Sequence, residues 1–327
     1  MLASLHAFLA ATLFSIASAE PAHYETYAIE ETHDIAYYDA SPRQVLDVLR
    51  PKNLDNRPVV LFVHGGAWMI GDKNLLGLYR GFGRFLARHG IVAVMINHRL
   101  SPAVKHPEHV KDVARAFAWT RRHIKEYGGD PDRIFLCGHS AGGHLVSLLA
   151  TNEEYLKDKC LDLRDEDRTA ICGVISVCGV YLIPSDDEFA SLVANMLTGL
   201  ISKGEHPWAT RLLVGRAVRD VKDYNPFSLV FGDDPEVCAQ ASPVKNVRKG
   251  LPPFLLVNAE DDAPTLPGMA KDFAKALAKD GIEVEALTVI HRDHAFIVFK
   301  ARSADDPLGR VILRFVEKRA KEAGNPR

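Results

Sequence analysis

The sequence predicts an α/β protein with a mostly parallel central sheet and helices on both of its faces. Three observations predict it. Short apolar runs rich in β-branched residues alternate with helical patterns along most of the chain, as βαβ units do. Those runs are apolar at consecutive positions, as strands buried on both faces are. The 327 residues are 47% hydrophobic and 25% charged, ample material for one sizeable core.

From the N-terminus, Ala7 to Ile16 is almost continuously apolar, and Ala17-Ser18-Ala19 supplies an A-x-A cleavage pattern. Residues 1–19 therefore read as a secretory signal peptide, too short for a membrane span. The stretch lacks a Lys or Arg before Arg43, so a buried or frayed N-terminal helix is the alternative. Residues 20–327 read as one domain. Glu20 to Arg43 is polar and aromatic, an N-terminal hairpin or arm. Val59 to Val63 is the first core strand. Gly77 to Arg88 has helical spacing, Ile91 to Ile96 is the next strand, and Val110 to Tyr127 is a helix with Val113, Phe117 and Ile124 on one face. Asp130-Pro131 punctuates the chain before the strand Ile134 to Cys137, and His144 to Leu149 continues as helix. Strands follow at Ile171 to Cys178, Phe254 to Asn258 and Val284 to Ile290, with helices at Ala270 to Lys279 and Leu308 to Lys321.

One region breaks the rhythm. Between about residues 184 and 242 no strand–helix pair is legible. Phe189, Leu192, Val193, Met196, Leu197, Leu200 and Ile201 instead form an i, i+3, i+4 stripe. Either this is a helix packed on the sheet, or it is a small cap insertion, since long insertions in compact domains are usually functional. Right-handed crossovers bring the loops at the carboxyl ends of the strands together, so the site is expected there.

Charge and cysteines narrow the partners. A formal charge of −2 provides no electrostatic reason to bind nucleic acid or anionic lipid. No stretch after the leader reaches roughly 18 apolar residues, so no stable membrane insertion is expected. Five cysteines are too few for a disulfide scaffold. Cys137, Cys172 and Cys178 lie in apolar runs as core residues, while Cys160 and Cys238 lie in polar surroundings and could pair after export. Oligomeric state is open.

Two motifs carry chemistry. Gly138-His139-Ser140-Ala141-Gly142 matches G-x-S-x-G, with a buried strand ending at Cys137 and a helix beginning after Ser140. That is the setting of a nucleophile elbow, where glycines make room for a sharp strained turn. Backbone N–H groups at the helix start favour an anion beside the serine. His64-Gly65-Gly66-Ala67-Trp68 follows the first core strand, and its glycines let the backbone turn amides into a cavity. Acyl transfer places negative charge on the former carbonyl oxygen, and losing one pre-aimed donor costs about 3–4 kcal/mol. Gly66 and Ala67, with Gly65 possible, would donate from this loop and Ala141 from the other. His64 is read as orienting the loop.

Together the motifs resemble the esterase/lipase branch of the α/β-hydrolases, which includes hormone-sensitive-lipase-like carboxylesterases, bacterial feruloyl and acetyl esterases, and kynurenine formamidases. Asn97-His98-Arg99-Leu100-Ser101-Pro102 and Gly129-Asp130-Pro131-Asp132-Arg133 are further echoes. The resemblance implies the α/β-hydrolase fold from roughly Val59 to the last helix. Ala67 stands where lipase-like members often have a third glycine, which is nearer the formamidase and feruloyl-esterase pattern. It also implies the order Ser, acid, His. The acid belongs in the loop Ala259-Glu260-Asp261-Asp262, where family spacing favours Asp262 over Asp261 and Glu260. His294-Ala295-Phe296 resembles the family's His-x-Phe, so His294 is the base, with His291 the competitor. His291-x-x-His294 is not read as a metal pair, because no third spaced ligand accompanies it.

The implied activity is hydrolysis of a carboxylic ester, small or polymer-linked and of short acyl chain, through an acyl-enzyme. That chemistry calls for no cofactor. An arylformamidase-type amide hydrolase is the alternative among enzymes, and a non-catalytic binding protein on the same fold the alternative outside them. Export after loss of the leader, to the periplasm or medium, is the expected location.

Overall fold

The computed structural model describes residues 24–168, 170–189 and 225–323. The expected signal peptide and most of the apolar stripe after Phe189 lie outside the described residues.

Eight strands form one sheet in the order β1-β2-β4-β3-β5-β6-β7-β8. They are β1 (Ile29–Ala36), β2 (Val45–Pro51), β3 (Arg57–Val63), β4 (Val92–Ile96), β5 (Gly129–His139), β6 (Ile171–Val177), β7 (Phe254–Asp261) and β8 (Val284–Asp293). β1 and β2 are antiparallel to each other, β2 is antiparallel to β4, and all remaining neighbours are parallel. The six strands β3 to β8 are those the apolar runs predict. β1 and β2 were not expected as separate strands, although the N-terminal arm does form a hairpin arm. Their sequences explain it. β1 is IEETHDIA, an exposed edge strand with little apolar signal. β2 carries Asp47 at its centre, fully buried, where Lys73 Nζ at 2.7 Å and Arg80 Nη2 at 3.0 Å neutralise it. A charge in a strand centre is tolerated only when paired, and the partners are 26 or more residues away in sequence.

Five long helices cover the sheet: α1 (Leu78–Arg88), α2 (Glu108–His123), α3 (Ala141–Thr151), α4 (Leu266–Lys279) and α5 (Pro307–Ala323). Alternate strand residues divide between two cores. Val59, Leu61 and Val63 face α2, α3 and α4, whereas Val60 and Phe62 face α1 and α5. Both faces of each central strand are therefore filled, which is why the runs read apolar at every position. Among the described residues no helix is long and apolar enough to cross a membrane.

The irregular region departs and returns at one point of the fold. Ile183 N–H donates to Ser242 Oγ at 2.9 Å, and Asn225 Nδ2 donates to the Pro184 carbonyl at 3.1 Å. Short helices at Ser228–Phe231 and Pro235–Gln240 precede the return. Cysteine placement differs from expectation. Cys160 and Cys238 are free thiols, the first in solvent and the second buried with its thiol on the Gly232 carbonyl, so they face different surroundings. Cys172 is only half-buried, because it sits near the amino end of β6 where its thiol reaches the Asp132 carbonyl at 3.2 Å.

An aromatic cluster anchors α4. Phe273 is fully buried, stacked on Tyr181 (centroids 4.6 Å apart) and edge-on to Phe254 at 5.4 Å. Phe273→Ala should destabilise the protein by about 3–5 kcal/mol in urea unfolding, the usual cost of emptying such a site. A loss below about 1 kcal/mol would mean that α4 contributes little to the core.

Candidate active site

The site is built at the carboxyl ends of β3, β5, β7 and β8. Ser140 lies between β5 and α3 with φ 54° and ψ −118°, a conformation that L-residues rarely adopt. The flanking glycines make the turn possible. A Cβ on Gly138 would overlap the Gly142 carbonyl, and one on Gly142 would overlap the Val63 carbonyl. The turn is thus pressed against the end of β3, and Ser140 stands at the amino end of α3.

Ser140 Oγ is 2.9 Å from His294 Nε2, and His294 Nδ1 is 2.6 Å from Asp262 Oδ1. The three come from loops 122 and 32 residues apart in sequence. Asp262 is held on several sides. Ala263 N–H donates to Oδ1 at 2.9 Å, Asn258 Nδ2 donates to Oδ2 at 2.9 Å, and Cys178 stands beside the carboxylate. Burial pushes the Asp262 pKa up, but the hydrogen bonds from His294 and Asn258, together with Cys178, outweigh it and hold the carboxyl down at about 2. It is a carboxylate at any working pH. The competing residues point elsewhere. Glu260 accepts from the His291 amide at 2.8 Å, Asp261 is exposed, and the His291 side chain is 84% exposed. Asp261 contributes only its carbonyl, which accepts from the His294 amide at 3.3 Å.

The glycine loop after β3 is left-handed over three residues: φ is 125° at Gly66, 50° at Ala67 and 61° at Trp68. Its amides fall into two groups. Gly65 N–H donates to Tyr79 Oη at 3.1 Å and is engaged there, so the expectation of a Gly65 donor to substrate does not fit this geometry. Gly66, Ala67 and Ala141 make no amide hydrogen bond among the described residues. His64 is fully buried, stacked on His98 at 4.6 Å, and its Nδ1 donates to the Gly65 carbonyl at 2.7 Å. Burial and then the neighbouring His98 hold its pKa well below the usual histidine value, so it shapes the loop as a neutral ring.

Trp68 is buried. Its ring meets Phe227 and Phe231, both from the irregular region, at 6.0 and 5.0 Å. Its Nε1–H donates to His144 Nδ1 at 3.2 Å, and His144 Nε2 donates to the Ala241 carbonyl at 2.8 Å. The indole pins the glycine loop to α3. Sequence patterning leaves Tyr79, His139, His144, Asn258 and Cys178 without a role. Cys178 directly follows β6, and Asn258 lies beside it in the last half of β7, so the rule that places sites at strand ends could have found them.

Among the described residues one group of three could approach a metal ion: His139, Cys178 and His294, with ligand atoms within 4.8 Å of one another. Those atoms already hold other partners. His294 bridges Ser140 and Asp262, Cys178 meets Asp262, and His139 Nε2 meets the His294 carbonyl at 2.8 Å. An ion there would break the Ser140–His294–Asp262 contacts.

A mostly parallel eight-stranded sheet with a serine on a strained strand–helix turn, and a histidine–carboxylate pair on later loops, defines the α/β-hydrolase class. The family model described as BD-FAE matches residues 46–277, and the chain belongs to that family. Among curated proteins it is similar to the probable carboxylic ester hydrolase LipM of Mycobacterium tuberculosis. The two are 32% identical over 259 residues, covering 78% of this chain and 53% of that protein. A probable isoprenylcysteine alpha-carbonyl methylesterase of Arabidopsis thaliana is 29% identical over 258 residues, covering 79% of this chain and 49% of that protein. The chain spans about half the length of these curated relatives. Of solved structures, esterase B from Lactobacillus Rhamnosis superposes with a TM-score of 0.66 at 21% identity, over 90% of this chain and 87% of that one. A truncated carbohydrate esterase from gut microbiota superposes with a TM-score of 0.68 at 18% identity, over 92% of this chain and 100% of that one. At these identities the superpositions speak for the fold.

Proposed function

We propose that the chain hydrolyses carboxylic esters through an acyl-enzyme on Ser140. The observation that carries this reading is the unbroken contact from Ser140 Oγ through the His294 ring to the Asp262 carboxylate. His294 Nε2 takes the serine proton as Oγ attacks the ester carbonyl, and Asp262 fixes the imidazole with its proton on Nδ1 and stabilises the imidazolium. Negative charge then develops on the carbonyl oxygen. The unengaged amides of Gly66, Ala67 and Ala141 are the donors available to it, supported by the amino end of α3. His294 returns the proton to the leaving alcohol. Water clears the acyl group by the same steps.

The ester bond is taken from the esterase names of the relatives, and a small-molecule or polymer-linked ester of short acyl chain is the substrate class put to the test. The Ala7–Ile16 run and the following Ala-Ser-Ala support export after cleavage. Phe227 and Phe231 reach Trp68 beside the glycine loop, which supports the reading of about 184–242 as a cap insertion.

The test is hydrolysis of p-nitrophenyl esters from acetate to palmitate, together with mass analysis after a serine-directed phosphonate. Turnover of short esters and a single adduct on Ser140 are expected. Turnover of N-formyl aryl amides with no ester activity would move the assignment to an amide hydrolase. Absence of an adduct on folded protein would return it to a binding role.

A further inference from the structure

We propose that Tyr79 and His139 are positioning residues that tie the backbone of the base to the backbone of the glycine loop through a one-way chain of hydrogen bonds. The inference rests on the hydrolase reading of the same site. Gly65 N lies 3.1 Å from Tyr79 Oη, Tyr79 Oη lies 2.8 Å from His139 Nδ1, and His139 Nε2 lies 2.8 Å from the His294 carbonyl.

The two ends set the direction. A backbone amide can only donate and a backbone carbonyl can only accept. Tyr79 Oη therefore accepts from Gly65, and its single proton goes to His139 Nδ1. That leaves the ring proton of His139 on Nε2, from which it is donated to His294. No other placement of protons on neutral groups satisfies all four. Burial holds both side chains neutral: it pushes the Tyr79 phenol up to about 12, and with the nearby His294 it brings the His139 imidazole down to about 4. The groups facing His139 are Tyr79, His294, Asp262 and Cys178.

The chain joins loops that no single element connects. Gly65 begins the turn that presents Gly66 and Ala67, His139 immediately precedes Ser140, and the final acceptor belongs to the residue carrying the base. Because the His294 carbonyl is held and not its ring, the imidazole stays available to Ser140 and Asp262. Only the oxygen of Tyr79 is in the chain. Its ring packs separately on Phe62 at 5.3 Å and Phe299 at 4.9 Å, contacts that a phenylalanine retains.

Loss of the hydroxyl leaves the Gly65 amide without its acceptor and His139 Nδ1 without its donor, so the glycine loop is no longer tied to the His139–His294 end. Tyr79→Phe should lower kcat by about 10–100-fold with little change in KM, the scale of a small displacement of reacting groups. His139→Leu should fall equally far, and Tyr79→Phe/His139→Leu should be no worse than either alone. His139→Gln, which keeps one acceptor and one donor, should recover most of the rate. Tyr79→Phe within about threefold of wild type, or His139→Gln as impaired as His139→Leu at equal melting temperature, overturns the proposal. Nitrogen-15 spectra of the histidine rings read the chain without turnover. They should show His139 bare at Nδ1 in the wild type, and in Tyr79→Phe the same tautomer with the Nδ1 resonance moved downfield as it stops accepting a hydrogen bond. A wild-type ring protonated at Nδ1 overturns the relay whether or not esters are hydrolysed, whereas loss of ester turnover with that spectrum intact counts against the hydrolase reading alone.

Discussion

Ser140→Ala should lower kcat for a short p-nitrophenyl ester by about 10⁴–10⁶-fold while leaving KM and the melting temperature nearly unchanged. The alanine fits where serine stood, because the strained turn is set by Gly138 and Gly142 and not by the hydroxyl. What disappears is the one oxygen placed 2.9 Å from His294 Nε2. Residual hydrolysis of roughly 10³–10⁴ over water should survive from binding and from the amides of Gly66, Ala67 and Ala141. Residues that act as a unit are non-additive, so Ser140→Ala/His294→Ala should be no slower than Ser140→Ala. A double variant that loses a further large factor would mean that His294 acts on something other than Ser140. Near-normal turnover by Ser140→Ala would falsify the assignment of the nucleophile.

Asp262→Asn should cost about 10⁴-fold in kcat near neutral pH, and for a different reason. The amide matches the carboxylate in shape, but its N–H can face His294 Nδ1 and force the ring proton onto Nε2. The imidazole then offers a proton to Ser140 Oγ where it must accept one. Stability supplies an independent check with a definite sign. The Asp262 pKa is depressed from 3.8 to about 2 on folding. Its ionised form therefore stabilises the fold by about 2 kcal/mol above the unfolded pKa, a contribution lost as pH falls through the folded value. Urea unfolding at pH 7 should find Asp262→Asn less stable than wild type, with the gap closing between about pH 4 and pH 2. A gap that does not depend on pH would show that the carboxylate's charge is not what its neighbours hold.

Much of this molecule is legible in one dimension because its strongest signals are local. β3 to β7 read as apolar runs because each is covered on both faces, by α2, α3 and α4 on one side and α1 and α5 on the other. The elbow reads as G-x-S-x-G because two backbone overlaps leave no room for a side chain at Gly138 or Gly142. The order of Ser140, Asp262 and His294 follows the order in which β5, β7 and β8 leave the chain. The apolar runs and the elbow are properties of residues within a few positions of one another, whereas the order of the three came from the family resemblance.

What the spacing could not decide is set by partners far away in the chain. Asp47 hides β2 from any apolar pattern because Lys73 and Arg80 neutralise it across the fold. Glu260, Asp261 and Asp262 are all carboxylates, and although family spacing favours Asp262, it is the direction of the turn after β7 that puts it on His294 and Glu260 on the His291 amide. Gly65 looks like its neighbours in the glycine loop, yet Tyr79 claims its amide. Patterning alone thus specified six of the eight strands, the long helices and the elbow, since burial and backbone strain act through near neighbours. Which atom faces which was left to the strand order, because hydrogen-bond partners 14 to 155 residues apart meet only once the sheet has closed.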